Sequence, residues 1–143
     1  MKTCYILAVL TLVLAQGCNT LASQPEIKSA QINPAQLQPG ESAVITVEVV
    51  DKTEIISRIE GVVLGNAQHT FKLLDDGQAP DAKGKDGVWT MQVDVPAMAP
   101  PGEFVLEFTA YRSDGLPISV RDKSGNVKDL KEPLPVVIRY NQP

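Results

Sequence analysis

The fold of this chain is predicted most directly from the stretch Leu73-Leu74-Asp75-Asp76-Gly77-Gln78-Ala79-Pro80-Asp81-Ala82-Lys83-Gly84-Lys85-Asp86-Gly87-Val88-Trp89-Thr90. It holds four aspartates and three glycines. Asp-Gly pairs favour turns, and aspartate side chains accept hydrogen bonds from nearby backbone N–H groups. Apolar and polar residues alternate on both sides of it, at 71–74 before it and at 88–95 after it, which indicates β-strands. We therefore predict a long structured loop, called the acidic loop (residues 75–86), between two strands.

The same alternation recurs along most of the chain. The predicted strands are 27–32, 43–50, 55–64, 70–74, 88–95, 103–110, 116–120 and 134–140. Turn residues separate them at intervals of about ten residues, and no segment after residue 18 has a helical period over three turns. Short strands at this spacing predict an all-β protein, an antiparallel β-sandwich of seven to eight strands. The leading core candidates are Ile45, Val47, Trp89, Val93, Phe104, Leu106 and Phe108.

Three segments together resemble a bacterial immunoglobulin-like (fibronectin-type-III-like) β-sandwich domain of secreted lipoproteins. They are residues 32–41 before the second strand, residues 73–90 with the pattern L-x-D-D-G…D…D-G-x-W-T, and residues 101–115. Pro80 departs from the pattern, because such domains commonly have glycine before the aspartate. The resemblance implies an immunoglobulin-like fold for residues 27–143 and says little about activity.

The N-terminus has the features of an export signal. Residues 1–17 contain Lys2, then a short apolar run and small residues, which predicts a secretory signal peptide that is too short to span a membrane. Residues 14–18 (Leu-Ala-Gln-Gly-Cys) resemble a bacterial lipobox, which implies that Cys18 becomes the lipidated first residue. A polar tether follows, so that residues 18–26 comprise the lipidated cysteine and its tether. Cleavage by an ordinary signal peptidase is the alternative. Asn19 in place of aspartate favours the outer membrane if the organism is Gram-negative.

Charge limits the classes of partner. The chain has a formal net charge of −4, and removal of Lys2 with the signal leaves −5. An acidic domain is not expected to bind nucleic acid, which requires clustered lysine and arginine. It is not expected to adhere electrostatically to anionic lipid either, so the acyl chains would be the anchor. The expected partner is an envelope protein or glycan. Tyr111, Arg112 and Tyr140, near strand ends, are candidate contact residues.

The candidate chemistry is limited to the acidic loop and one histidine. Asp75, Asp76, Asp81 and Asp86 could supply oxygen ligands to calcium, although their spacing is not that of an EF-hand. The competing interpretation is that they stabilise the loop by accepting backbone N–H groups. His69 is the only histidine, so a zinc site or a catalytic triad has no supporting motif.

These observations predict a non-enzymatic, membrane-anchored envelope lipoprotein with no catalytic residues and no required cofactor. It would act as a protein- or glycan-binding module or support a larger assembly. A calcium-dependent structural or adhesive domain that uses the acidic loop is the alternative. A small hydrolase built around His69 is a third and weaker hypothesis.

Overall fold

A computed structural model of the chain describes residues 23–140. The predicted signal peptide, Cys18, residues 19–22 of the tether and residues 141–143 of the predicted domain lie outside these residues. The described part is all-β, as predicted, and contains ten strands. They are β1 (Glu26–Asn33), β2 (Gln36–Leu37), β3 (Ser42–Val50), β4 (Arg58–Val63), β5 (Asn66–Leu73), β6 (Val88–Asp94), β7 (Gly102–Tyr111), β8 (Ser119–Arg121), β9 (Val127–Asp129) and β10 (Lys131–Ile138). Residues 23–140 contain no helix, and so none that is long and apolar enough to cross a membrane.

The strands form three sheets. One has the order β1-β3-β6, and both of its strand pairs are antiparallel. A second has the order β2-β10-β7-β4-β5, with every pair antiparallel except β2 with β10. The third is the small antiparallel hairpin β8-β9. Many neighbouring strands are therefore distant in sequence, so the fold depends on long-range pairing.

One hydrophobic core is built from residues of both larger sheets. On β3 the alternating set Ala43, Ile45, Val47 and Val49 is buried, as its period of two predicts. Ile59 on β4 and Phe108 on β7, in the other large sheet, are fully enclosed and belong to the same cluster. Burying one such side chain contributes about 1.5–3 kcal/mol. No disulfide is available to residues 23–140, which lack cysteine, so their stability comes from this core.

Gly61 lies opposite Phe108 in the β4–β7 pair. An ideal Cβ at this position would be 2.5 Å from Cε1 of the Phe108 ring, so only glycine leaves room for the ring. Glycine inside a strand typically marks a bulge or a close approach of another group. The close approach is to a side chain, and the irregularity in the β4–β5 register falls between Val62 and Val63.

Several predicted strand limits were wrong. The third predicted strand begins at Arg58 rather than Ile55, because Asp51 holds the preceding turn by accepting the N–H of Ile56 at 2.6 Å. β5 begins at Asn66 rather than Thr70; it is an edge strand whose first five residues are exposed, so it lacks the apolar alternation. β9 lies between the predicted strands 116–120 and 134–140, where no strand was predicted, and all three of its residues are exposed.

Candidate functional site

The acidic loop joins β5 of the five-stranded sheet to β6 of the three-stranded sheet. At its base, Leu74 and Thr90 exchange two backbone hydrogen bonds, of 2.9 and 2.8 Å. These bonds tie together the ends of strands that belong to different sheets. Both ends of the loop are therefore fixed by backbone hydrogen bonds next to β5 and β6.

Asp75 closes the loop across its ends. Its Oδ1 accepts the backbone N–H of Asp86 at 3.2 Å, and its Oδ2 accepts that of Gly87 at 3.0 Å. Asp86 in turn accepts the N–H of Val88 through Oδ1 at 3.0 Å. Hydrogen bonds from backbone N–H groups to carboxylates are charge-assisted and stronger than neutral ones. The carboxylate of Asp75 thus joins the start of the loop to its end, and that of Asp86 holds the turn into β6.

Asp81 is the anchor of the loop interior. It is 5% exposed, and its two oxygens accept the N–H groups of Gly77 at 2.6 Å and Lys83 at 3.1 Å. The hydrogen bond from Gly77 is the main cause that lowers the pKa of Asp81. Asp76 accepts the N–H of Gln78 at 2.9 Å, two residues along, in the pattern of an Asx-turn. All four loop aspartates therefore bind backbone N–H groups.

Two glycines let the loop fold back on itself. An ideal Cβ on Gly77 would be 2.8 Å from the backbone N of Gly84, and one on Gly84 would be 2.8 Å from the carbonyl carbon of Asp76. The backbone segments on either side of the loop are in direct contact at this point. This contact explains why glycines occur on both sides of the loop.

The structure brings together three of the four predicted calcium ligands. One carboxylate oxygen each from Asp75, Asp81 and Asp86 lies within 4.8 Å of the others, whereas Asp76 is not part of this group. Calcium takes six to eight oxygen ligands, so three carboxylates would supply only part of its shell. The arrangement can therefore serve as part of a calcium site. The backbone N–H groups that these carboxylates accept also stabilise the loop without a bound ion.

A cavity of about 500 Å³ lies beside the loop, and we call it the Trp89 cavity. Trp89 was predicted to be a core residue. It packs against the core but is only partly buried, because β6 is an edge strand, and it lines this cavity. The other lining residues are Val49, Asp51, Glu54, Ile56, Asp75, Lys85, Asp86 and Gly87. The cavity is lined by residues from two separate segments, 49–56 and 75–89, so no local sequence pattern indicated it.

The remaining candidate residues are dispersed. His69 is exposed on β5 and does not line the Trp89 cavity. The guanidinium carbon of Arg58 lies 4.7 Å from the ring centre of Tyr111, which is half-buried. Arg112 is exposed and pairs with Asp114 at 2.7 Å. Tyr140, half exposed, donates its hydroxyl to the carbonyl of Ala99 at 2.9 Å.

Comparisons with known proteins do not assign this chain to a family. No family model matches this chain, and a search of curated proteins finds no match. Among solved structures, the chain is similar to a Pseudomonas fluorescens alkylpurine DNA glycosylase AlkC bound to DNA containing an abasic site analog, at 14% identity and a TM-score of 0.47. The similarity covers 82% of this chain and 31% of that chain, so this chain spans less than a third of the glycosylase. A likeness at this level supports no inference about function.

Proposed function

We propose that this chain is an exported, lipid-anchored envelope protein whose immunoglobulin-like sandwich is a non-catalytic binding module. The observation that carries the binding role is the Trp89 cavity, in which an aromatic ring and several carboxylates face the same space. Concave sites with an apolar surface and a few convergent polar groups are typical of ligand binding.

The strand order supports the immunoglobulin-like part of the proposal. Constant-type immunoglobulin domains place their first, second, fourth and fifth strands in one sheet and their third, sixth and seventh in the other. Six of the seven strands of six or more residues follow that division, with β1-β3-β6 in one sheet and β10-β7-β4 in the other. The fourth, β5, departs from it, because it pairs with β4 at the edge of the second sheet. The three additional strands have only two or three residues each. A core shared by both sheets agrees with the sandwich.

The hydrogen bonds of the acidic loop support the non-catalytic part. General acid–base catalysis requires a carboxyl group that can exchange a proton with substrate near neutral pH. Asp81 has its pKa lowered by backbone N–H groups, and its two oxygens both accept such groups. That environment stabilises the carboxylate form of Asp81 in a structural role.

The anchor is supported by the sequence 14–18, in which Cys18 is the proposed site of lipidation. Residues 1–17 are the proposed signal peptide, 18–26 the lipidated cysteine and its tether, and 27–143 the domain. We expect the wild-type protein to incorporate radiolabelled palmitate and to sediment with membranes. The Cys18→Ala variant should lose both properties, whereas Cys4→Ala, the matched control within the signal, should keep them. Palmitate labelling of Cys18→Ala would contradict the proposal.

A calcium-dependent domain is the second candidate. The observation in its favour is the close approach of carboxylate oxygens from Asp75, Asp81 and Asp86. Titration calorimetry of the protein with calcium chloride tests it, and the Asp86→Asn variant should abolish the heat of binding if the site exists.

A further inference from the structure

We propose that the Trp89 cavity binds a guanidinium group, presented by an arginine side chain of a protein partner. The inference rests on the proposed function as a binding module and names the chemistry of its ligand. In this arrangement the indole ring of Trp89 forms one face of the site, and carboxylates line the same cavity.

The walls of the cavity suit a side chain that is apolar along its stem and charged at its tip. Its volume of about 500 Å³ is in the range of small-ligand sites. Val49 and Ile56 contribute aliphatic surface beside the indole ring. An arginine buries its methylene groups against apolar surface and keeps its charged end near polar groups. The cavity offers both kinds of surface.

The charge of the cavity selects a cation. Asp51, Glu54, Asp75 and Asp86 line it together with a single ammonium group, that of Lys85, which gives a formal charge of −3. Within residues 23–140 the ion pairs are Lys28–Glu26, Arg58–Glu60, Arg112–Asp114 and Lys131–Glu107, and none involves these five residues. A concave site lined mainly by one sign of charge concentrates the electric field and attracts the opposite charge. The cavity therefore has negative charge that no basic side chain of the described domain neutralises through an ion pair.

The shape of the site favours guanidinium over a metal ion. The three oxygens that approach each other most closely include one from Asp81, which is 5% exposed and does not line the cavity. Asp51 and Glu54, which do line the cavity, are not part of that group of oxygens. A planar guanidinium stacks on an aromatic face and directs its N–H donors outward in its own plane, where carboxylates can accept them. An ammonium group has no such plane, so we expect lysine to bind more weakly.

The fluorescence of Trp89 reports on binding in the cavity, because Trp89 is the only tryptophan of the chain. The full-length protein, extracted from membranes in a neutral detergent, is titrated with N-acetyl-arginine amide while tryptophan fluorescence is recorded. We expect a saturable change that weakens as sodium chloride is raised, because salt screens the attraction. The neutral isostere N-acetyl-citrulline amide should produce no saturable change.

Glu54→Gln is the most informative variant, since the described residues give the Glu54 carboxylate no hydrogen bond and no ion pair that the change would remove. It should weaken binding of the arginine derivative by about five- to tenfold, the effect expected for one charge near the ligand. Glu103→Gln, which removes an exposed carboxylate on β7 outside the cavity, is the matched control and should bind like the wild type.

Four results would overturn the proposal. They are no fluorescence change with the arginine derivative, equal binding of the citrulline derivative, tighter binding of N-acetyl-lysine amide, and an unchanged affinity in Glu54→Gln. A saturable response to calcium chloride with none to the arginine derivative would assign the site to a metal instead. The palmitate experiment is independent of this one, so loss of the ligand assignment would leave the lipid anchor standing.

Discussion

Substitution of Gly61 by alanine tests the packing between β4 and β7. The added Cβ would lie 2.5 and 2.7 Å from two carbons of the Phe108 ring, whereas nonbonded carbons prefer about 3.5–4.0 Å. The ring is fully enclosed and has no exposed side toward which it can move. Overpacking of this kind costs about 1–3 kcal/mol, and we take about 3 because the ring is so confined. Alanine regains about 0.5–1 kcal/mol over glycine within a strand, which leaves a net loss of about 2 kcal/mol in the free energy of unfolding.

Urea unfolding of a double-mutant cycle measures this effect. Phe108→Leu alone should cost about 1.5 kcal/mol, because the smaller side chain leaves a partial void. In that background Gly61→Ala should cost much less, since the ring that it would meet is gone. We expect a coupling energy of about 1.5 kcal/mol, well above the error of additivity for independent sites. Additive costs, or a Gly61→Ala variant as stable as the wild type, would show that the Phe108 ring does not lie over Gly61 and would refute the β4–β7 register.

The remaining predictions concern the acidic loop and its base. Asp81→Asn should lower the melting temperature more than the control Asp76→Asn, because Asp81 is buried and binds two backbone N–H groups whereas Asp76 binds one. The folded pKa of Asp81 is lowered, so its stabilising effect is complete above its unfolded pKa of about 3.9 and is lost as the pH falls through the folded value. The melting temperature of Asp81→Asn should therefore depend less on pH than that of the wild type between about pH 2 and pH 6. An unchanged pH dependence would contradict this role. Thr90→Val should stabilise the domain by about 1 kcal/mol in urea unfolding, because the buried Thr90 hydroxyl has no hydrogen-bond partner among the described residues, and destabilisation would contradict that assignment.

Strands with one buried face could be predicted from the sequence. The alternation at Ile45 and Val47 on β3, and at Leu106 and Phe108 on β7, corresponds to residues that are buried in the structure. These strands lie inside their sheets, so one face of each is covered and the apolar pattern has a period of two. The long loop between the strands at 71–73 and 88–94 was also predicted, because its Asp-Gly pairs and its flanking alternation are local signals.

Features that depend on distant contacts could not be predicted. Trp89 shares the alternation of β6, but β6 is an edge strand, and no local pattern indicates that its indole ring is only partly covered. β2 is a strand only because Gln36 and Leu37 pair in parallel with the end of β10, about a hundred residues later. Glu54 enters the cavity from a turn with φ at 51°, a conformation for which a glutamate gives no signal. The aspartates of the loop were recognised from the sequence. Only the fold shows that Asp51 and Glu54 line the same cavity as Asp75 and Asp86.

The central claim is that the acidic loop is held by its own carboxylates and needs no cation. Thermal unfolding of the protein in EDTA and in about 10 mM calcium chloride tests it, with magnesium chloride as the control for ionic strength. A bound ion at a hundred times its dissociation constant adds about 2.7 kcal/mol to the free energy of unfolding, which corresponds to a rise of roughly 5–15 °C in a domain of this size. We predict that calcium changes the melting temperature by less than about 1 °C on that scale, and a rise of several degrees with calcium but not with magnesium would contradict the claim.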